Sequence, residues 1–336
     1  MASAWEFWLT PTISLSLIIE AESSVPSVTR FLSQWALYFQ PRLLGQALDY
    51  EIEQRPQLEV ISAGTLRVVD YAYFRHNTEG YQSLQGDGPL SEIAASERVE
   101  NPSTQYELLR SALERVESTY ALVTAASNGA QQQFSPDGSS DDDLKRLWKL
   151  LKPDLELPGL IGKHWQEVWL SRLIIRVEPN VSPATDFRGV GMLALESLLY
   201  FAVTYGERAC EIVDEAVNGG THWYPLALAS IHMTEFALDL ATKRDLQLFL
   251  LRSVQAPREA RAASAERQDY TALLRIASDL LLLFHEHWKQ GSYTVMQFEQ
   301  VERDFRNALR PWIRRGVLDG RALGWEKWDE GGIKLD

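Results

Sequence analysis

Cysteine is nearly absent from this chain: Cys210 is the single one in 336 residues. One thiol can form neither an intrachain disulfide nor a thiolate metal cage, which fits a reducing, cytosolic compartment. Basic residues are also scarce, 33 Lys and Arg against 46 Asp and Glu, for a net charge of −13. That balance is the reverse of a nucleic-acid binder's footprint, and it argues against broad adhesion to anionic membranes. Long apolar runs are missing as well. The uncharged run from Phe7 to Ile19 is interrupted by Pro11 and diluted by Ser and Thr, and it is too short to span a bilayer. No Lys or Arg precedes Arg30, and Glu6 stands where a signal peptide carries positive charge. The run is expected to be a buried helix or strand, with a membrane-touching element as the alternative.

Strand signals are missing too: no Val/Ile/Thr alternation with hairpin turns occurs. What the chain does have is helical spacing, on an apolar share of 45% with 24% charged residues, enough for a sizeable core. A helix is predicted over 28–52, interrupted at Pro41 and continued by Leu43 to Ile52. Residues 58–74 suit a strand or a buried helix, and helix agrees with the rest of the chain. His76 to Ser103 reads as a loop, Thr104 to Ala126 as a helix, and Ser127 to Asp143 as a low-complexity mobile linker. Leu144 to Leu151 is helical up to Pro153, with Asp141 to Asp143 favourably placed at its positive end. Longer helices follow over Met192 to Val217, broken near Gly206, then His222 to Leu250, Asp269 to Gln290 and Thr294 to Ile313. The fold class is all-α: a multi-helix globular domain with long mobile loops.

Several kinds of chemistry can be set aside. Gly189-Val190-Gly191 has no third glycine and no following Lys-Ser/Thr, so it is no nucleotide cradle. There is no G-x-S-x-G, and Cys210 falls in a helical pattern where it packs. His285 and His287 are two apart on a helix and face different ways, so they read as solvated or capping histidines rather than ligands. His164, His222 and His232 each lack an HExxH-like partner, and Asp214-Glu215 reads as a solvated face. The 11 tryptophans are mostly core, with some free to anchor a protein partner.

The stretch Pro183-Ala184-Thr185-Asp186-Phe187-Arg188-Gly189-Val190-Gly191 stands apart. A turn-forming approach delivers one arginine with glycine one and three places after it, and an apolar helix from Met192 to Tyr205 backs it. Read alone, Arg188 is either a structural ion-pair former, with Asp186 or Glu196 as partner, or an arginine that reaches into another protein's site. The second use needs a rigid support, small neighbours and no strong internal competitor.

This stretch, followed by Leu195 and Leu198, resembles the signature of the ELMO domain, in particular that of the small single-domain ELMO proteins. Leu147-Trp148-Lys149-Leu150-Leu151 with Pro153, Lys163-His164-Trp165-Gln166-Glu167-Val168, and Ala227 to Leu240 resemble other pieces of the family in the right order. A weaker likeness runs through Phe284 to Trp288 and Phe298 to Leu309, so the resemblance covers roughly 143–313. One departure from the pattern is Trp169 to Glu178, longer than the family's segment and without its Gly-Phe-Gln.

The resemblance implies an N-terminal helical region over 1–103 packing on the main domain, an ELMO domain over 104–315 containing the mobile linker 127–143, and a C-terminal tail over 316–336. It implies a GTPase-activating protein for an Arf or Arf-like small GTPase, with Arg188 as the catalytic arginine finger supplied in trans. Pro183, Thr185, Asp186, Phe187, Gly189 and Gly191 would shape the loop, and Trp165 would support it. No cofactor is implied for the chain itself, since GTP and Mg²⁺ belong to the partner. The chain would complete the partner's active site, in the cytoplasm and at endomembranes. The alternative implied by the larger family members is a non-catalytic scaffold that binds a small GTPase or a Dock-type exchange factor.

Overall fold

A computed structural model describes residues 43–54, 61, 63–76, 88–133, 139–162, 164–165, 187, 189–218, 220–253, 270–314, 316–318 and 320–323. Among these residues every regular element is a helix. The chain divides into two units, residues 1–121 with 251–266 and residues 122–250 with 267–336. The predictions for 1–42, including Phe7 to Ile19, lie outside the described residues.

In the first unit, α1 (Leu43–Gln54), α2 (Ala63–His76) and α3 (Gly88–Glu97) accompany the beginning of α4 (Thr104–Gln131). Their apolar stripes meet in one core that includes Leu48, Val69, Tyr73, Ile93, Leu109, Val116 and Tyr120. The rings of Tyr73 and Tyr120 meet edge to face at 5.0 Å. The buried Glu51 accepts a hydrogen bond from Thr65 Oγ1 at 2.8 Å, which meets its need for a partner. Within 58–74, helix α2 settles the ambiguity in favour of helix from Ala63 on. Helix α3 corrects the loop expected between His76 and Ser103. Its short polar sequence hides an apolar face, Leu90, Ile93 and Ala94, at one-turn spacing.

The second unit is built around α6 (Gly191–Thr204), α8 (Leu226–Thr242) and α10 (Thr271–Gln290), which pack on one another. Helices α5 (Ser139–Leu151) and α7 (Gly206–Asn218) pack on α6 and on each other, and α11 (Phe298–Ile313) packs on α10. Helix α6 is apolar nearly all round and buried along most of its length, as a central helix must be. The break between α6 and α7 falls at Tyr205, beside the expected Gly206.

Three helix boundaries differ from the sequence reading. Helix α4 runs to Gln131 instead of ending at Ala126, and α5 starts at Ser139 instead of Leu144. Ser127 to Gln131 stay helical because that turn has something to pack on: Ala126 and Gly129 are buried, with Gly129 against Tyr270 and Leu193. Low complexity alone could not reveal those neighbours. The third difference is between His222 and Leu250, where the chain forms α8 and α9 (Gln247–Ser253) in place of one helix. Arg244 takes a left-handed φ of 62°, and the amides of Asp245 and Leu246 both return to the Leu240 carbonyl, closing α8 without glycine or proline. Among the described residues no helix is long and apolar enough to cross a membrane.

Candidate functional site

Helix α6 begins at Gly191, whose φ is +52°, a conformation that disfavours any side chain. A methyl group there would press on the Gln132 carbonyl oxygen and lie 2.7 Å from that of Ala130 and 3.0 Å from that of Gly129. The Met192 amide donates to the Gln132 carbonyl at 3.0 Å. The carbonyl just past α4 thus takes an amide of the first turn of α6, so one orphan donor is satisfied where the opposite dipole ends of the two helices meet. Just before this junction, the Val190 amide donates to the Phe187 carbonyl at 3.3 Å in a tight turn, with both side chains buried. Gly189 is the opposite case: it is exposed, and among the described residues nothing lies within 4 Å of where its Cβ would be. Of the two motif glycines, one is required by packing and the other leaves open space.

The structure brings Phe187, Gly189 and Gly191 together. Arg188, Pro183, Thr185 and Asp186 lie outside the described residues, as does Trp169 to Glu178. Glu196, the internal partner considered for Arg188, accepts a hydrogen bond from the Tyr270 hydroxyl.

Trp165 is fully buried and meets Trp148 edge to face at 5.2 Å. The His164 ring stands 5.3 Å from Trp148, and both His164 Nε2 and Trp165 Nε1 turn to the Gly159 carbonyl, at 2.6 and 3.3 Å. Trp148 Nε1 donates to the Leu155 carbonyl at 2.9 Å, which ties the tryptophan pair to the chain leaving α5. Lys152 holds Asp214 of α7 at 2.9 Å. Cys210 packs nearby, its Sγ 3.4 Å from the Leu150 carbonyl oxygen, with burial as the main cause pushing its thiol pKa up. A half-buried thiol packed against the end of α5 agrees with the helical pattern around it.

The histidines on α10 depart from the expected solvated or capping role. His285 is buried, 3.3 Å from the Tyr224 hydroxyl through Nδ1, and burial pushes its pKa down to about 4. His287 is partly covered by the Tyr293 and Phe305 rings, at 5.7 Å each, and burial lowers its pKa as well. Both belong to an aromatic cluster with Tyr224, Phe284, Trp288, Phe298 and Phe305, to which the segment before α8, helix α10 and helix α11 each contribute rings. Among the described residues no three His, Cys, Asp or Glu side chains are grouped to hold a metal ion.

A groove of about 440 Å³ between α8 and α11 escaped the sequence reading. Arg306 and Arg310 each lie 5.4 Å above the Phe236 ring, which supplies cation–π contact. Arg306 pairs with Glu302 and donates to the His232 carbonyl at 2.9 Å. Arg310 pairs with Asp239 and reaches Asp245 at 3.0 Å, where Arg314 also arrives at 2.7 Å. Burial raises the Glu302 carboxyl pKa despite the guanidinium beside it, and burial with Arg306 lowers that of His232. The i, i+4, i+8 spacing of the three arginines was a readable signal, as was Glu302 one turn before Arg306, but the carboxylates of Arg310 and Arg314 come from α8 and the turn after it. These arginines are already occupied and bind the helices together.

The model of the ELMO/CED-12 family matches residues 126–302. Among curated relatives, ELMO domain-containing protein B of Dictyostelium discoideum is 26% identical over 49% of this chain and 51% of its own length. ELMO domain-containing protein 1 of Bos taurus is 25% identical over 56% of this chain and 58% of its own length. ELMO domain-containing protein 2 of Mus musculus is 34% identical over 32% and 33%. The first two relatives are thus matched over only about half their length. No solved structure matches the chain.

Proposed function

This chain belongs to the ELMO/CED-12 family, and from that premise we propose that it is a GTPase-activating protein for an Arf or Arf-like small GTPase. Arg188 is the finger: its guanidinium enters the partner's site and neutralises charge developing on the transferred phosphoryl group, an effect of about 10³–10⁵ in rate. GTP and Mg²⁺ are held by the partner. Phe187, Gly189 and Gly191, with Pro183, Thr185 and Asp186, form the presenting loop, and Trp165 belongs to the supporting core. This reading places the protein at the cytoplasmic face of endomembranes.

One observation carries the reading, the contrast between the glycines that flank the arginine on its C-terminal side. Gly191 is clamped by three carbonyls, which gives the finger a rigid base, whereas Gly189 is exposed and has no described residue near its Cβ position. A partner's backbone can therefore close on residue 189 directly. The test is single-turnover GTP hydrolysis by a panel of Arf-family GTPases, with wild-type protein and Arg188→Lys. A lysine keeps the charge but not the planar fork, so stimulation is expected to fall by about 10³-fold. Equal stimulation by both proteins overturns the finger.

A further inference from the structure

The motif accounts for the glycines but says nothing of what holds α6 in place against α4. Gly129 is buried in the last turn of α4, and a Cβ on it would lie 3.3 Å from the Tyr270 hydroxyl and 3.7 Å from Leu193 Cβ. Tyr270 is the N-cap residue of α10; it is buried, and its carbonyl accepts from the Leu273 and Leu274 amides at 2.9 and 3.2 Å. Its hydroxyl donates to the carboxylate of Glu196, in the second turn of α6. The Gln132 carbonyl, at the end of the same turn of α4, takes the Met192 amide and abuts Gly191.

We propose that Tyr270, with Glu196 and the bare Gly129, is the positioning latch that holds the start of α6 against the end of α4 and thereby aims the presenting loop. The inference rests on the GTPase-activating reading for its catalytic consequence, and on geometry alone for the latch. Three helices meet at one phenol. The ring lies against a glycine because a larger residue would displace the hydroxyl, and the hydroxyl fixes α6 through an acceptor one turn beyond Gly191. Loosening this junction leaves the finger present but poorly aimed. A misplacement of an ångström lowers the rate of a positioned reaction by up to about a hundredfold, while the surface available to the partner is unchanged.

The experiment pairs two readouts on the full chain. The first is hydrogen exchange at 187–193 in wild type and Tyr270→Phe. The variant is expected to exchange faster there, with the aromatic cluster around Trp288 unaffected, and unchanged exchange overturns the latch. The second is single-turnover hydrolysis across a range of activator concentrations. Tyr270→Phe and Glu196→Ala are expected to lower the maximal rate by roughly tenfold with the half-saturating concentration unchanged. Glu196→Gln, whose amide oxygen still accepts from the phenol, restores most of it. A changed half-saturating concentration with the maximal rate intact overturns the aiming role and makes Tyr270 or Glu196 part of the docking surface. If wild-type protein stimulates no GTPase of the panel, the GTPase-activating reading falls, and the aiming role falls with it. The exchange readout still decides the latch.

Discussion

The seam between α8 and α11 and the start of α6 treat charge in opposite ways. At the seam, Arg306 and Arg310 lie over Phe236 with carboxylates on both sides, and Asp245 serves two guanidinium groups at once. At the start of α6, the described neighbours of position 188 are a buried Phe187 and an exposed, bare Gly189, and the described hydrogen bonds there run between backbone carbonyls and amides. An arginine enclosed by its own carboxylates contributes cohesion. An arginine meant for a partner needs a base held by uncharged groups, because fixed internal carboxylates would compete for it.

The largest test of that contrast is Gly191→Ala. The left-handed φ and three converging carbonyls leave no room for a methyl, so unfolding free energy is expected to drop by about 3 kcal/mol or more, measured by denaturant titration. A loss below about 1 kcal/mol would mean the junction is soft.

Helix α10 supplies a pair of pH tests, one on each side. Asp279, fully buried, accepts from the Tyr205 hydroxyl at 2.9 Å, and burial raises its pKa from 3.8 to about 6. A raised folded pKa contributes stability that is complete below about pH 4 and is lost as pH rises through about 6. Asp279→Asn keeps an acceptor for Tyr205 and is expected to be more stable than wild type at pH 7, by up to about 3 kcal/mol, with the advantage vanishing near pH 4. His285 has the opposite sign. Burial lowers its pKa from 6.5 to about 4, so its contribution is complete above about pH 6.5 and is lost as pH falls toward 4. His285→Gln is expected to flatten the acid limb of the stability profile between those values. Parallel profiles for wild type and both variants would contradict the burial of these two groups.

A smaller effect is expected at the seam. Arg310→Ala removes two ion pairs, but Asp245 keeps Arg314, so the loss should be about 1–2 kcal/mol, read from the melting temperature, with stimulated hydrolysis unaltered. The smallest stability effect belongs to Gly189→Ala, within about 0.5 kcal/mol of wild type because the site is open. On the proposed function, stimulated hydrolysis should nevertheless fall, because the added methyl would meet the partner rather than the described residues of this chain. A variant with full stimulation would show that the open space at 189 is not used.

Much of this was legible in the residues. The periodicity of apolar positions identified α1, α6, α7, α10 and α11, while α2 reads as helix over strand only by agreement with the rest of the chain. Cys210 packs as its neighbours implied. The misplaced end of α4 has a tertiary cause. Ser127 to Gln131 have polar, small side chains and little propensity to show, and they are helical because Tyr270 and Leu193 cover Gly129. Likewise His285 reads as a polar residue on a helix until Tyr224 is placed against it.

The sequence by itself determined the helical class, the family and the motif that singles out Arg188, because hydrophobic spacing and a run of unusual residues are local properties. Only the tertiary structure decided which glycine is structural and which is open. Gly189 and Gly191 are equivalent as letters, and what separates them is the end of α4, some sixty residues earlier in the chain, pressing its carbonyls on one and leaving the other to solvent. Such long-range packing fixes the cost of a single methyl, and no local pattern encodes it.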